Sequence, residues 1–109
     1  MEFDVQYPSD GAAVIRTIGR LNMVAAPRLR ELVAATVGEG RTRIVVDLAD
    51  TEFIDSSGLG ALIAGLKAAR TAGGELRIAR APVQVTTVLE LTNLNRVLRP
   101  YASIAESLA

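Results

Sequence analysis

The sequence predicts an α/β domain with a mixed β-sheet of four to five strands and about four helices, and three observations carry that prediction. Half of the 109 residues are apolar, and a chain of this size can bury roughly two-thirds of its unfolded surface, so a real core is available. Strand-like segments alternate with segments of helical period along the chain, in the order β-β-α-β-α-β-α-(β)-α. The series opens with two strands around a strong turn, which adds a hairpin to a sheet otherwise built through right-handed crossovers. No repeat, linker or low-complexity stretch interrupts it, so one domain is expected over residues 1–109.

Each element has its own signal. Phe3 to Tyr7 alternates apolar and polar residues, and Pro8-Ser9-Asp10-Gly11 supplies turn chemistry. A second strand follows over Ala13 to Gly19, with Val14 and Ile18 on one face and Ile15 on the other. From Val24 the period changes: Ala25, Leu29, Leu32, Val33 and Val37 fall on one helical stripe. Pro27 suits the first turn of that helix, and Gly38 or Gly40 can end it. Ile44-Val45-Val46-Asp47-Leu48, short and β-branched, has the pattern of a central strand covered on both faces. Ala49 to Ile54 reads as a short connection. Leu59, Leu62, Ile63, Leu66 and Ala69 mark a second helix that ends near Ala72-Gly73-Gly74. Glu75 to Ala79 is a strand with Leu76 and Ile78 on its core face, and Val85, Val88, Leu89 and Thr92 give a short helix after Pro82. Val97-Leu98 is taken as a last strand, and Tyr101, Ile104, Ala105 and Leu108 trace a terminal helix.

Composition narrows the chemistry. There is no cysteine, so disulfides, thiolate metal sites and cysteine nucleophiles are excluded, and there is no histidine, the commonest general base and metal ligand. Twelve basic and twelve acidic side chains cancel, leaving no net field to recruit nucleic acid or anionic lipid. The acidic start Met1-Glu2-Phe3-Asp4 does not resemble a signal peptide, and no apolar run approaches the roughly 20 residues that span a bilayer. The expectation is a cytoplasmic protein, not inserted in a membrane, with no cofactor, no metal and no direct contact with nucleic acid.

The informative segment is Ile54-Asp55-Ser56-Ser57-Gly58-Leu59-Gly60, at the junction of a buried strand and a helix. One reading is structural: Asp or Ser caps the helix, and the glycines let its first turn pack closely on the sheet. Two glycines there cost about 1 kcal/mol each relative to alanine, which packing or access for a partner must offset. The other reading is functional. A hydroxyl at a helix start is open to a kinase, and a phosphate there would meet backbone N–H groups while adding charge beside Asp50, Glu52 and Asp55. Enzyme motifs are missing: no G-x-S-x-G with a histidine, no third glycine after Gly58-Leu59-Gly60, and no P-loop. Asp47, Asp50, Glu52 and Asp55 lie close enough in sequence to suggest a Mg²⁺ site, or a phosphoacceptor aspartate at Asp47. Receiver domains, however, pair acids after the first strand and carry a lysine after the last, and neither is found here. The four are expected to be solvated loop acids.

From Val45-Val46-Asp47-Leu48 through Ile54-Asp55-Ser56-Ser57-Gly58-Leu59-Gly60 the chain resembles STAS domains, specifically the anti-sigma factor antagonists. The likeness extends to the hairpin, to Gly19-Arg20-Leu21, to the helix over Arg28 to Val37 and to Leu89-Glu90-Leu91-Thr92-Asn93-Leu94. It implies a non-enzymatic switch. The unmodified protein binds an anti-sigma factor serine kinase and so frees a sigma factor; the kinase phosphorylates the second serine, matching Ser57, and a serine phosphatase restores it. Asp55, Ser56, Gly58, Leu59 and Gly60 match the surrounding motif and would line the docking surface. Asn22 stands in a loop where the family often carries an aspartate, keeping hydrogen-bonding capacity without the charge. Some STAS domains are never phosphorylated and act as scaffolds or accessory subunits in sensory or lipid-transport assemblies, which is the alternative reading.

Overall fold

The computed structural model describes residues 1–109. The elements are β1 (Glu2–Gln6), β2 (Ala12–Leu21), α1 (Ala26–Gly38), β3 (Arg43–Asp47), β4 (Thr51–Ile54), α2 (Ser56–Thr71), β5 (Glu75–Ala79), α3 (Val83–Leu91), β6 (Pro100–Tyr101) and α4 (Ile104–Leu108). They build one mixed sheet in the order β1-β2-β3-β5-β6, with β4 paired to the far end of β2. The opening hairpin is antiparallel and every other pairing is parallel, as the β-β start followed by α crossovers requires.

Register decides which side chains meet. Ile15 lies opposite Val46 and Val46 opposite Ile78, so these three line one face. Onto them pack Leu29 and Val33 of α1, Leu62 and Leu66 of α2 and Val85 and Leu89 of α3, forming the main core. The alternate residues Val14, Val45 and Ala79 form a smaller cluster on the opposite face, closed by Ile104 and Leu108 of α4. β3 is therefore covered on both faces. α4 is too short to hold itself together, since isolated helices below roughly a dozen residues are marginal. Two arginines of the sheet grip its C-terminal carbonyls: Arg43 Nη2 donates to Leu108 O at 2.5 Å, and Arg77 Nη1 donates to Ser107 O at 3.1 Å and Ala109 O at 2.8 Å.

The sequence reading needs two changes. The segment expected to be a connection over Ala49 to Ile54 contains a strand, β4, reached by a tight turn in which Thr51 N donates to Leu48 O at 3.0 Å. β4 takes up pairing with Gly19–Leu21 where β3 leaves β2, and a buried hydroxyl contact of 2.5 Å between Thr17 and Thr51 ties the two strands. Val97-Leu98 is not a strand. Leu98 drops into the core, and the last strand is Pro100–Tyr101 against Ile78 and Ala79. A proline can open that strand because an edge residue can do without its N–H.

Candidate functional site

α2 begins where β4 ends, and several elements fix that point. Asp55 is the N-cap, extended at φ −114, with Oδ1 accepting from Gly58 N at 2.9 Å. On one side Leu21 O, at the end of β2, accepts from Asp55 N at 3.4 Å. On the other, the Gln84 amide of α3 brackets Ile54: Oε1 accepts from Ile54 N at 3.0 Å, and Nε2 donates to Ile54 O at 3.1 Å. Ser56 and Ser57 are the first two residues of the helix. Ser56 is exposed and Ser57 half-buried, so the more open residue of the pair is the first and not the second.

The two glycines separate sharply. A Cβ on Gly58 would lie 2.3 Å from Leu21 O and 2.8 Å from Ile54 Cγ1, so close packing of α2 on the sheet demands glycine. A Cβ on Gly60 would meet only the tip of the Arg30 side chain, at 3.1 Å. Capping and packing thus account for Asp55 and Gly58, and Leu59 is buried in the core. Neither account reaches Ser56, Ser57 or Gly60.

Asn22 sits beside this helix start, one residue after Leu21. Its Oδ1 accepts from Val24 N at 3.1 Å and Ala25 N at 3.2 Å, and its own carbonyl accepts from Ala26 N at 2.8 Å. It therefore folds the turn that enters α1. An aspartate offers the same acceptor, so Asn22→Asp should change stability by no more than about 0.5 kcal/mol. Asn22→Ala loses both acceptor bonds and should cost about 1 kcal/mol. Thermal unfolding of the two variants checks the pair: equal losses would mean that the acceptor is irrelevant.

The turn pushes Met23 and Val24 into solvent, 71% and 77% exposed, and Val83 at the start of α3 is 80% exposed. Met23 and Val24 follow Leu21, which accepts from Asp55 N, and Val83 precedes Gln84, which brackets Ile54, so both apolar projections belong to elements bonded to the start of α2. Sequence periodicity missed this because it placed the change to helical period at Val24, whereas α1 begins at Ala26.

The acids correct an expectation. Asp47 is not a solvated loop acid: its side chain is 2% exposed and paired with Arg80. Asp47 Oδ1 accepts from Arg80 Nε at 3.1 Å and from Ala49 N at 3.1 Å, and Oδ2 accepts from Arg80 Nη2 at 2.5 Å. The hydrogen bond to Asp47 and then the attraction of its charge hold the Arg80 guanidinium above its ordinary pKa, against partial desolvation. Arg80 itself stands in the left-handed region at φ 55, with its N–H donating to Tyr101 O at 2.9 Å. Asp50 pairs with Arg16, and Asp55 is the cap. The four acids do not converge on one point, and no cluster of three or more metal-ligating side chains forms. No helix is long and apolar enough to cross a membrane.

This α/β sheet, with a capped serine pair at one end, matches a known class. Residues 6–107 match the model of the STAS domain, and the chain belongs to that family. A candidate anti-sigma factor antagonist of Thermotoga neapolitana is 35% identical over 72 residues, covering 66% of this chain and 64% of that protein. The chain thus spans 64% of the length of that relative and of its counterpart in Thermotoga maritima. The anti-sigma-B factor antagonist of Staphylococcus aureus is 27% identical over 84 residues, covering 77% of this chain and 78% of that one. The crystal structure of a candidate anti-sigma factor antagonist from Thermotoga maritima superposes with a TM-score of 0.88 at 29% identity, covering 97% of this chain and 91% of that one.

Proposed function

We propose that this protein is a cytoplasmic anti-sigma factor antagonist, a binding module and not an enzyme, switched by phosphorylation of Ser57. Unmodified, it binds an anti-sigma factor serine kinase and so releases a sigma factor; the kinase then phosphorylates Ser57, and a serine phosphatase reverses the step. The observation that carries the reading is the serine pair on the first turn of α2, a helix start bonded to the two elements that carry exposed Met23 and Val24 and exposed Val83. Small hydroxyls at an end that also carries exposed apolar side chains suit a partner that packs closely over them. The names of the relatives, anti-sigma factor antagonists, support the same reading. Asn22, Asp55, Ser56, Gly58, Leu59 and Gly60 belong to the docking end, Asp55, Gly58 and Leu59 by shaping it and the others by contact.

Phosphate works against binding by charge and bulk. It adds nearly two negative charges and three acceptor oxygens beside Asp55, on a surface fitted to a hydroxyl, while backbone donors of the helix start accommodate it without refolding. A coupling of roughly 1–3 kcal/mol weakens binding about 5- to 150-fold, and Ser57→Asp reproduces part of that loss. The test incubates the protein with candidate kinases and ATP, reads intact mass, and titrates the kinase calorimetrically with unmodified, phosphorylated and Ser57→Asp protein. Ser57→Ala should abolish the added mass. Efficient phosphorylation of Ser57→Ala at Ser56 would move the acceptor, and equal affinities of all forms would remove the switch. In the same titrations Asn22→Asp should alter kinase affinity or the rate of phosphorylation; if both stay unchanged, that loop lies outside the interface.

A further inference from the structure

α1 and α2 pack side by side, and the contact can be followed residue by residue. A Cβ on Gly65 would lie 2.9 Å from Leu76 Cδ1 of β5 and 3.3 Å from Val33 Cγ1 of α1, so Gly65 sits at the corner between the sheet and α1. Ser57, Ala61 and Gly65 are spaced four apart and form one row of α2, with Ser57 at its head. This explains why Ser57 is half-buried while Ser56, off that row, is exposed. Arg30 lies three residues before Val33 on α1, and its Nη2 would be 3.1 Å from a Cβ on Gly60, three residues beyond Ser57. Residues three apart on a helix are neighbours, about 5–6 Å between Cβ atoms. The guanidinium therefore lies beside Gly60, in space that the glycine leaves open, one turn from Ser57.

This cation has no counter-charge of its own. The ion pairs of the chain use Arg16, Arg70 and Arg80. Arg20, Arg28, Arg41 and Arg77 lie over aromatic rings, and Arg43 holds the Leu108 carbonyl. Arg30 enters none of these contacts.

We infer that Arg30 is the intramolecular receptor of the phosphate on Ser57, drawing it toward α1 as an arginine–phosphate ion pair. The inference rests on Ser57 as phosphoacceptor and adds what the modified state does. Guanidinium and phosphate match as forked donor and acceptor, and the pair forms within one molecule. Paired with Arg30, the phosphate is held in one place at the docking end instead of rotating freely. Arg30 is thus a positioning residue for the modified serine.

The test installs phosphoserine directly at position 57 of the full chain by amber-codon suppression, so it needs no kinase. The ³¹P resonance is titrated with pH in the native background, in Arg30→Gln and in Arg30→Lys, with phosphoserine at position 56 as a control. Phosphoserine loses its second proton near pH 6, and a nearby cation favours the dianion. The expected result is a phosphoserine-57 pKa lower by about half a unit or more with Arg30 than with glutamine, roughly a threefold change in proton affinity. Lysine should retain most of the shift, and phosphoserine 56 should show less than half of it. Asp55, Arg28 and Glu31 are common to every variant, so the difference isolates position 30. Amide spectra matching the native protein verify that Arg30→Gln is folded. A shift below about 0.2 unit at position 57, or one as large at position 56, overturns the inference. Absence of any kinase for Ser57 would defeat the switch reading but leave this measurement intact.

Discussion

Gly58→Ala is expected to destabilise the fold by about 3 kcal/mol, the upper end of what overpacking costs. The added methyl group would stand 2.3 Å from Leu21 O, a backbone atom fixed by its place in β2, and 2.8 Å from Ile54 Cγ1. Neither can move without loosening the Asp55 cap or the end of the β2–β4 pairing. Gly60→Ala is the matched control. It replaces a poor helix former at a position where only a flexible arginine tip must yield, so it should be neutral or stabilising by up to about 1 kcal/mol. Urea unfolding of both variants, compared by midpoint at constant slope, measures the contrast. Similar losses in both would show that propensity, not the Leu21 carbonyl, governs this turn.

The second large effect concerns the Asp47–Arg80 pair. Asp47→Ala removes three accepted hydrogen bonds from a side chain that is 2% exposed. Bonds to charged groups contribute more than neutral ones, and the expected loss is about 2–3 kcal/mol. The partners are not equivalent. Arg80, with a side chain 46% exposed, can turn to water when Asp47 is gone. Asp47 cannot do the same, so Arg80→Met should destabilise more than Asp47→Ala by leaving a buried carboxylate without its cation. The double variant should recover much of the Arg80→Met loss, and a double-mutant cycle read by denaturant unfolding tests this order. Additive losses would mean that the two residues act separately.

How much of this was legible in the sequence depends on how far each partner lies along the chain. The Ile44-to-Leu48 run announced a doubly covered strand, and the Leu59-to-Ala69 period announced α2, because burial of such elements is written into consecutive residues. β4 was not legible: four residues carry too little alternation, and the strand they pair with ends thirty residues earlier. The Asp47–Arg80 pair joins residues 33 apart, and nothing local to either marks the other. At the site, the motif from Asp55 to Gly60 identified a helix start, and the cap followed from residue type. That Gly58 answers to Leu21 and Gly60 to Arg30 depends on how β2 and α1 approach α2, which no spacing within the motif encodes.

The Gln84 amide carries a consequence for what can be recognised at this end of the molecule. An unpaired strand edge beside exposed apolar side chains is a template for any extended chain, since backbone pairing is indifferent to sequence. Gln84 answers both backbone groups of Ile54 with a side chain, as a neighbouring strand would. A visitor therefore finds Met23, Val24 and Val83 available but no register to zip into at Ile54. Selectivity at that edge falls to side-chain shape, and a sticky surface stays fussy about its company.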